Sequence, residues 1–119
     1  MVDFKRVSDS ERRAIRIMLA AHEQFRDIRS TMPLQYVVAF LLVAEEEGLS
    51  VNDYAKRAGV SVSVMSRHLL DIAERNRNMK PGFGLVAYRA SPMELRKHEY
   101  WVTDKGRALL HKLATQLRA

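Results

Sequence analysis

The chain contains no cysteine. That absence removes disulfides, thiolate nucleophiles and most zinc-finger ligand sets together, and it fits an intracellular protein. Proline occurs three times and nearly half of the residues are apolar, which is the material of a folded chain rather than of a disordered tail. Glycine is also sparse, at five residues. The one local concentration, PGFG at Pro81 to Gly84, lacks both the Lys-Ser/Thr and the strand-before-helix context of a phosphate-cradling loop. The four histidines, His22, His68, His98 and His111, are scattered without a His-x-x-x-His or carboxylate-paired spacing, so neither a metal site, a cofactor site nor a catalytic constellation is expected. No run is apolar for long enough to cross a bilayer, which takes about 20 residues. The most apolar segment, Met32 to Ala44, falls short of that, and MVDFKRVSDSERR lacks the apolar stretch of a signal peptide. The chain reads as cytoplasmic, without a membrane partner.

What is present is a basic balance and helical periodicity. Twenty Lys and Arg stand against fourteen Asp and Glu, giving a formal charge of +6 and favouring a polyanionic partner. A length of 119 residues suits one domain spanning 1–119. Ser8 or Ser10 can cap a helix reaching about Arg29, with Ile15, Met18, Leu19, His22, Phe25 and Ile28 along one stripe. Its other side, with Arg12, Arg13 and Arg16, suits solvent or phosphates. Pro33 opens LQYVVAFLLVAEEEG, ended by Gly48; apolar residues surround this helix, so Leu34 to Ala44 is expected to be the buried spine, with Glu45, Glu46 and Glu47 serving solubility.

Ser50 and Asp53 form a short capping box, Gly59 stops the helix they start, and Ser61 caps the next, which is expected to reach about Arg75. This is helix-turn-helix spacing over about 50–75. At about 100° per residue, Met65, Leu69, Ile72 and Ala73 share one side. Ser63, Ser66, Arg67, Leu70, Asp71 and Glu74 share the other. The outer face is small, neutral or basic in its first two turns and acidic in its last two, the polarity required if its beginning enters an anionic groove. Serine hydroxyls there can meet phosphates or base edges, and Arg67 can make the bidentate contact that guanine favours. An ordinary exposed face with a good cap is the plainer alternative.

GLVAYR and HEYWVT alternate as strands do and predict a β-hairpin, a wing, over about 84–103. Arg89, Arg96, Lys97 and His98 crowd its far end. They are candidate phosphate or minor-groove contacts, or else solvated edge charges. Tyr88, Tyr100 and Trp101 could pack the sheet or stack on unpaired bases. Thr103 then caps a final helix with Leu109, Leu110, Leu113 and Leu117 on one stripe.

These residues resemble a known family. GLVAYRASPMELRKHEYWVTDKG and, before it, LSVNDYAKRAGVSVSVMSRHL are similar in order and spacing to the wing and helix-turn-helix of MarR-type transcriptional regulators, over roughly Leu34 to Leu117. The resemblance implies recognition-helix contacts at Ser61, Ser63, Ser66 and Arg67. At the wing tip it implies an acid-x-Arg pair, Glu94 and Arg96, in which the acid orients the arginine toward the minor groove. Two departures stand out. NRNMKPGF, Asn76 to Phe83, is additional to the common pattern and either lengthens the helix or adds a loop, with Arg75, Arg77 and Lys80 available for backbone contacts. Leu95 replaces a usual arginine.

The expectation is therefore a mainly α protein with a small β-hairpin: a winged helix-turn-helix with N- and C-terminal dimerisation helices at about 10–29 and 104–117, whose apolar stripes one small domain could not cover. It would bind double-stranded DNA as a homodimer and regulate transcription, as a repressor, with a small-molecule effector implied by the resemblance alone. The rival is a winged-helix module for RNA or a protein partner.

Overall fold

The computed structural model describes residues 4–74, 78 and 80–118. Five helices and one hairpin follow in the order α1 (Asp9–Arg26), α2 (Leu34–Glu45), α3 (Val51–Ala58), α4 (Val62–Ile72), β1 (Val86–Ala90), β2 (His98–Val102) and α5 (Asp104–Arg118). The expected fold class is the one found: mainly helical, with a two-stranded antiparallel hairpin.

Four of the five helices begin where the sequence supplies an acceptor for their orphan amides; α2 instead follows Pro33, without a side-chain cap. Ser8 caps α1 in a full box with Glu11, whose carboxyl is held below its usual range by the Ser8 backbone and hydroxyl bonds. Ser50 and Asp53 repeat the device at α3. Thr103 Oγ1 accepts the Gly106 N–H at 3.0 Å and itself donates to the Gly84 carbonyl at 2.6 Å, so the cap of α5 also fastens it to the root of the wing. A side chain at Gly106 would bring a Cβ within 2.4 Å of the Leu85 carbonyl, which explains a glycine inside a helix. Helix α1 ends at Arg26 with Asp27 as its C-cap, short of the Arg29 that its apolar spacing suggested.

The core lies between α2, α3, α4 and the hairpin. Phe40, Val43, Tyr54, Met65, Leu69, Ile72, Leu85, Val86 and Tyr100 are fully buried in it. Helix α2 is less central than its composition implied. Ala39, Phe40 and Val43 are buried, but Leu34 is 68% exposed and Val38 and Leu41 are each 42% exposed. The reason is geometric: α1 and α5 pack on each other and over only part of α2, leaving an open apolar groove of about 440 Å³ lined by residues such as Met18, Phe25, Leu34, Leu41, Leu113 and Leu117.

The two glutamates that follow α2 tie elements together rather than merely solvating the helix end. Glu46 pairs with Arg57 at 2.7 Å. Glu47 accepts the Val102 N–H at 2.9 Å and pairs with Arg107 at 3.3 Å, joining α2, the wing and α5. Gly48, at φ +86°, turns the chain so that its N–H donates to the Tyr100 carbonyl at 2.8 Å, while the Tyr100 N–H donates to Leu49. Residues 48–49 thus pair with β2 on the side away from β1, a contact that no strand-like alternation announced. Among the described residues no helix is long and apolar enough to cross a membrane.

Candidate nucleic-acid interface

Helix α4 is set by the turn before it and by the segment that returns along its end. Gly59 adopts φ +70° and gives its N–H to the Ala55 and Lys56 carbonyls, ending α3 in a conformation that a side chain would resist. Two residues later Ser61 accepts the Val64 N–H at 3.2 Å and starts α4. Its hydroxyl also shares a hydrogen bond with Ser63 Oγ, at 3.2 Å. Met65, Leu69 and Ile72 bury one side of α4. On the other, Ser63 and Arg67 are exposed and Ser66 is half-buried. Among the described residues Arg67 has no hydrogen-bond or ion-pair partner, so its guanidinium is available to an outside partner. Ser61 is less available, since its hydroxyl is committed to the cap.

The far end of α4 departs from expectation. The helix stops at Ile72, and Ala73 is already extended. Arg75, Asn76 and Arg77, to which the helix or its additional contacts were assigned, lie outside the described residues. The described part of the segment returns along α4: Phe83, Leu85, Gly84 and Gly82 donate their N–H groups to the carbonyls of Asp71, Ile72, Ala73 and Glu74 respectively, over 2.8–3.2 Å. These donors satisfy the last carbonyls of the helix and so replace its continuation. Gly82 is required there, because a Cβ would lie 2.2 Å from the Ala73 carbonyl. Asp71 is not a freely solvated acid of the outer face either; it is half-buried and accepts the Tyr36 hydroxyl at 2.7 Å. His68 packs edge-on to the Tyr36 ring at 5.4 Å, and burial there pulls its pKa below the ordinary value, with Asp71 opposing and Arg67 reinforcing the shift. Tyr36, His68, Phe83 and Arg29 form one cluster beside a cleft of about 360 Å³.

The wing is a five-pair antiparallel ladder from Val86↔Val102 to Ala90↔His98. Of its expected contact residues, Arg89 is occupied. Its Nε lies 3.1 Å from Glu99, and its guanidinium sits 4.8 Å over the Trp101 ring. His98 stacks on Tyr88 at 4.5 Å between ring centroids. Glu94 pairs with Lys97 at 3.4 Å, not with Arg96, because the turn from Glu94 to Lys97 folds the lysine back over the acid. Arg96 is exposed and has no hydrogen-bond or ion-pair partner among the described residues. Arg96, Lys97 and His98 face Ser50, Val51 and Asn52 at the start of α3 across an open cleft of about 190 Å³. The structure thus gathers the wing cations against the helix-turn-helix, and presents Ser63 and Arg67 separately on α4.

The aromatic residues mostly pack. Tyr100 is buried, which pushes its phenol up to about 12 and keeps it neutral. Trp101 lies against Gly48, where a Cβ would approach its ring to 3.0 Å. Tyr88 is 44% exposed and already stacked on His98, so no row of open aromatic faces is offered to single-stranded bases among the described residues. Nor do those residues hold a group of three His, Asp or Glu suited to a metal ion. Sequence reasoning missed two exposed side chains at the wing tip, Met93 and Leu95, although the leucine at a usual arginine position was a signal.

No protein-family model and no curated protein matches the chain by sequence. Solved structures match its fold. The transcriptional repressor CouR, bound to a 23-mer DNA duplex, aligns over 92% of this chain and 70% of its own, with 21% identity and a TM-score of 0.61. The PcaV transcriptional regulator of Streptomyces coelicolor, in complex with its natural ligand, aligns over 99% of this chain and 79% of its own, with 18% identity and a TM-score of 0.57. MarR itself aligns over 89% and 69%, with 16% identity and a TM-score of 0.62. The chain has the winged helix-turn-helix fold of the MarR-family transcriptional regulators.

Proposed function

We propose that this protein is a sequence-specific, duplex DNA-binding transcriptional regulator that acts as a homodimer and represses by occupying promoters. The observation that carries the reading is the partner-free Arg67 beside Ser63 on the capped, non-acidic beginning of α4, on a lobe whose wing adds the unpaired Arg96. Ser61, Ser63, Ser66 and Arg67 would meet the major groove. Arg96, Lys97 and His98 would meet phosphates or the minor groove, with Glu94 holding Lys97 and Arg89 reaching the backbone only on leaving Glu99. Helices α1 and α5 would form the dimer, which the exposed stripe of Ile15, Met18 and Leu19 and the open groove beside it support. No catalytic role and no cofactor is assigned.

The fold likeness to CouR, a repressor bound to DNA, supports the same reading, and PcaV in complex with a ligand supports a small-molecule effector, for which the cleft beside Arg29, Tyr36 and Phe83 is the candidate. The test is binding of the full chain to duplexes selected from a random pool. The dissociation constant should rise steeply with salt, with a slope of about −0.9 per phosphate and roughly six or more phosphates per dimer. A flat salt dependence, or preference for single strands, would remove the duplex reading and favour the RNA or protein-partner alternative.

A further inference from the structure

The wing tip carries something besides charge. Met93 is 94% exposed and Leu95 is 78% exposed, at the outermost turn of the hairpin. They are not loose. Ser91 N–H donates to the Lys97 carbonyl at 2.7 Å, Lys97 N–H to the Glu94 carbonyl at 3.0 Å, and Met93 N–H to Ser91 Oγ at 3.3 Å. Three bonds therefore close the tip, and Leu95 occupies the first corner of the turn between Glu94 and Lys97, with its side chain exposed. The one acid between the two apolar residues is neutralised by Lys97 at 3.4 Å. Arg96 follows directly, without a partner. A preorganised apolar pair beside free positive charge is complementary to one surface in particular: the minor groove, where phosphates line both rims and hydrophobic base faces become available once a step is opened.

The geometry points to Met93 and Leu95 as an apolar wedge that enters the minor groove and partly unstacks one base step, kinking the duplex toward the major groove. The wedge rests on the duplex reading above, and adds to it a mode of recognition: specificity for a deformable pyrimidine–purine step at the wing, such as TA or CA, rather than for base edges there. Arg96 and Lys97 hold the phosphates on either side while the side chains insert. A wing tip with arginine at position 95 would instead read groove potential and leave the stack closed.

The experiment uses the full chain and a duplex that it selects from a random pool, carrying 2-aminopurine at successive positions and a donor–acceptor dye pair at its ends. The expected result is a rise in 2-aminopurine fluorescence at one step per half-site and an end-to-end shortening that reports a kink of about 20–90°. In the double variant Met93→Ser/Leu95→Ser both signals should vanish and affinity should fall about tenfold. The salt slope should be retained, because no cation has been removed. Met93→Leu should restore them, as a different shape of equal hydrophobicity. Both side chains are exposed, and unfolding of the variants followed by circular dichroism should match that of the wild type. Salt-dependent binding with no fluorescence rise and a straight duplex, or with a kink unchanged in the double variant, would overturn the wedge and leave the duplex reading standing; the exposed pair would then belong to a protein partner. Absence of salt-dependent duplex binding would sink both.

Discussion

The lobe built from α2, α3, α4 and the hairpin and the pair α1 with α5 both carry apolar residues at core-facing spacing but use them differently. In the lobe, nine large side chains from four elements and the loop before the wing reach essentially zero exposure. In the terminal pair only Phe25 and Leu109 are buried large side chains, and Met18, Leu19 and Leu117 are each more than 60% exposed. The lobe closes on itself; the pair presents an apolar surface with nothing on it. Amphipathic stripes alone do not distinguish the two cases. What distinguishes them is whether a third element arrives to cover the stripe.

The sharpest way to break this contrast is to cut a side chain from each region. Phe40→Ala should cost about 3–5 kcal/mol in urea unfolding, as an aromatic lost from a closed core does. An effect below about 1 kcal/mol would mean that the lobe is not the stable unit. Next in size is the uncovered surface. Met18→Glu with Leu19→Glu should weaken self-association by about 2–4 kcal/mol, because charges would be driven into an apolar contact. Sedimentation would then give a monomer at micromolar concentration whose helix content is unchanged. A dimer that persisted would place the interface elsewhere.

Within the lobe the contrast is between α4 and the wing. Arg67→Ala should weaken binding by about 1–3 kcal/mol and relax preference at one position of each half-site, as expected for lost base-edge contact. Arg96→Ala should weaken all duplexes more evenly and lower the salt slope by about one. Equal loss on every single-base variant for Arg67→Ala would remove α4 as the reading element. The smallest effect concerns His68. Burial holds its folded pKa below the ordinary value of 6.5, so between those two values the unfolded chain binds more protons than the fold. The contribution of the neutral ring is therefore complete above about pH 6.5 and is lost as pH falls through the lowered value. His68→Gln should flatten that decline in thermal unfolding; an unchanged profile would assign the slope to other groups.

Much of this was legible from short-range signals. Ser8, Ser50, Ser61 and Thr103 each cap the helix that follows, and the 2-residue alternation of GLVAYR and HEYWVT became β1 and β2. Gly59 ended α3 where it had to. The failures share a cause, which is that they depend on what lies across space. The composition of α2 suggested burial all round because sequence does not show how little of it α1 and α5 cover. Glu47 read as a solubility charge because Val102 and Arg107 are distant in the chain. Glu94 read as the partner of Arg96 because the resemblance fixed the spacing, whereas the local turn returned Lys97 to it. In the candidate site, Ser63, Arg67 and Arg96 are exposed as expected, and Arg89 and His98 are engaged by Glu99 and Tyr88, neighbours that only strand register brings close.

The four amide bonds from residues 82–85 to the end of α4 have a mechanical consequence. They fasten the start of the wing to α4 at a neck of backbone, and the parallel bridge between Ala73 and Val86 completes the weld. Glu74 and Gly82 are thereby clamped together, the Gly82 N–H donating to the Glu74 carbonyl at 3.0 Å. Residues added to the chain between those two positions would leave the stagger between the helix and the hairpin unaltered, because the backbone bonds of the neck set it. If α4 and the wing both meet a duplex as proposed, the distance along it between their two contacts is a fixed dimension of the molecule, set by the neck and not by the length of chain between Glu74 and Gly82.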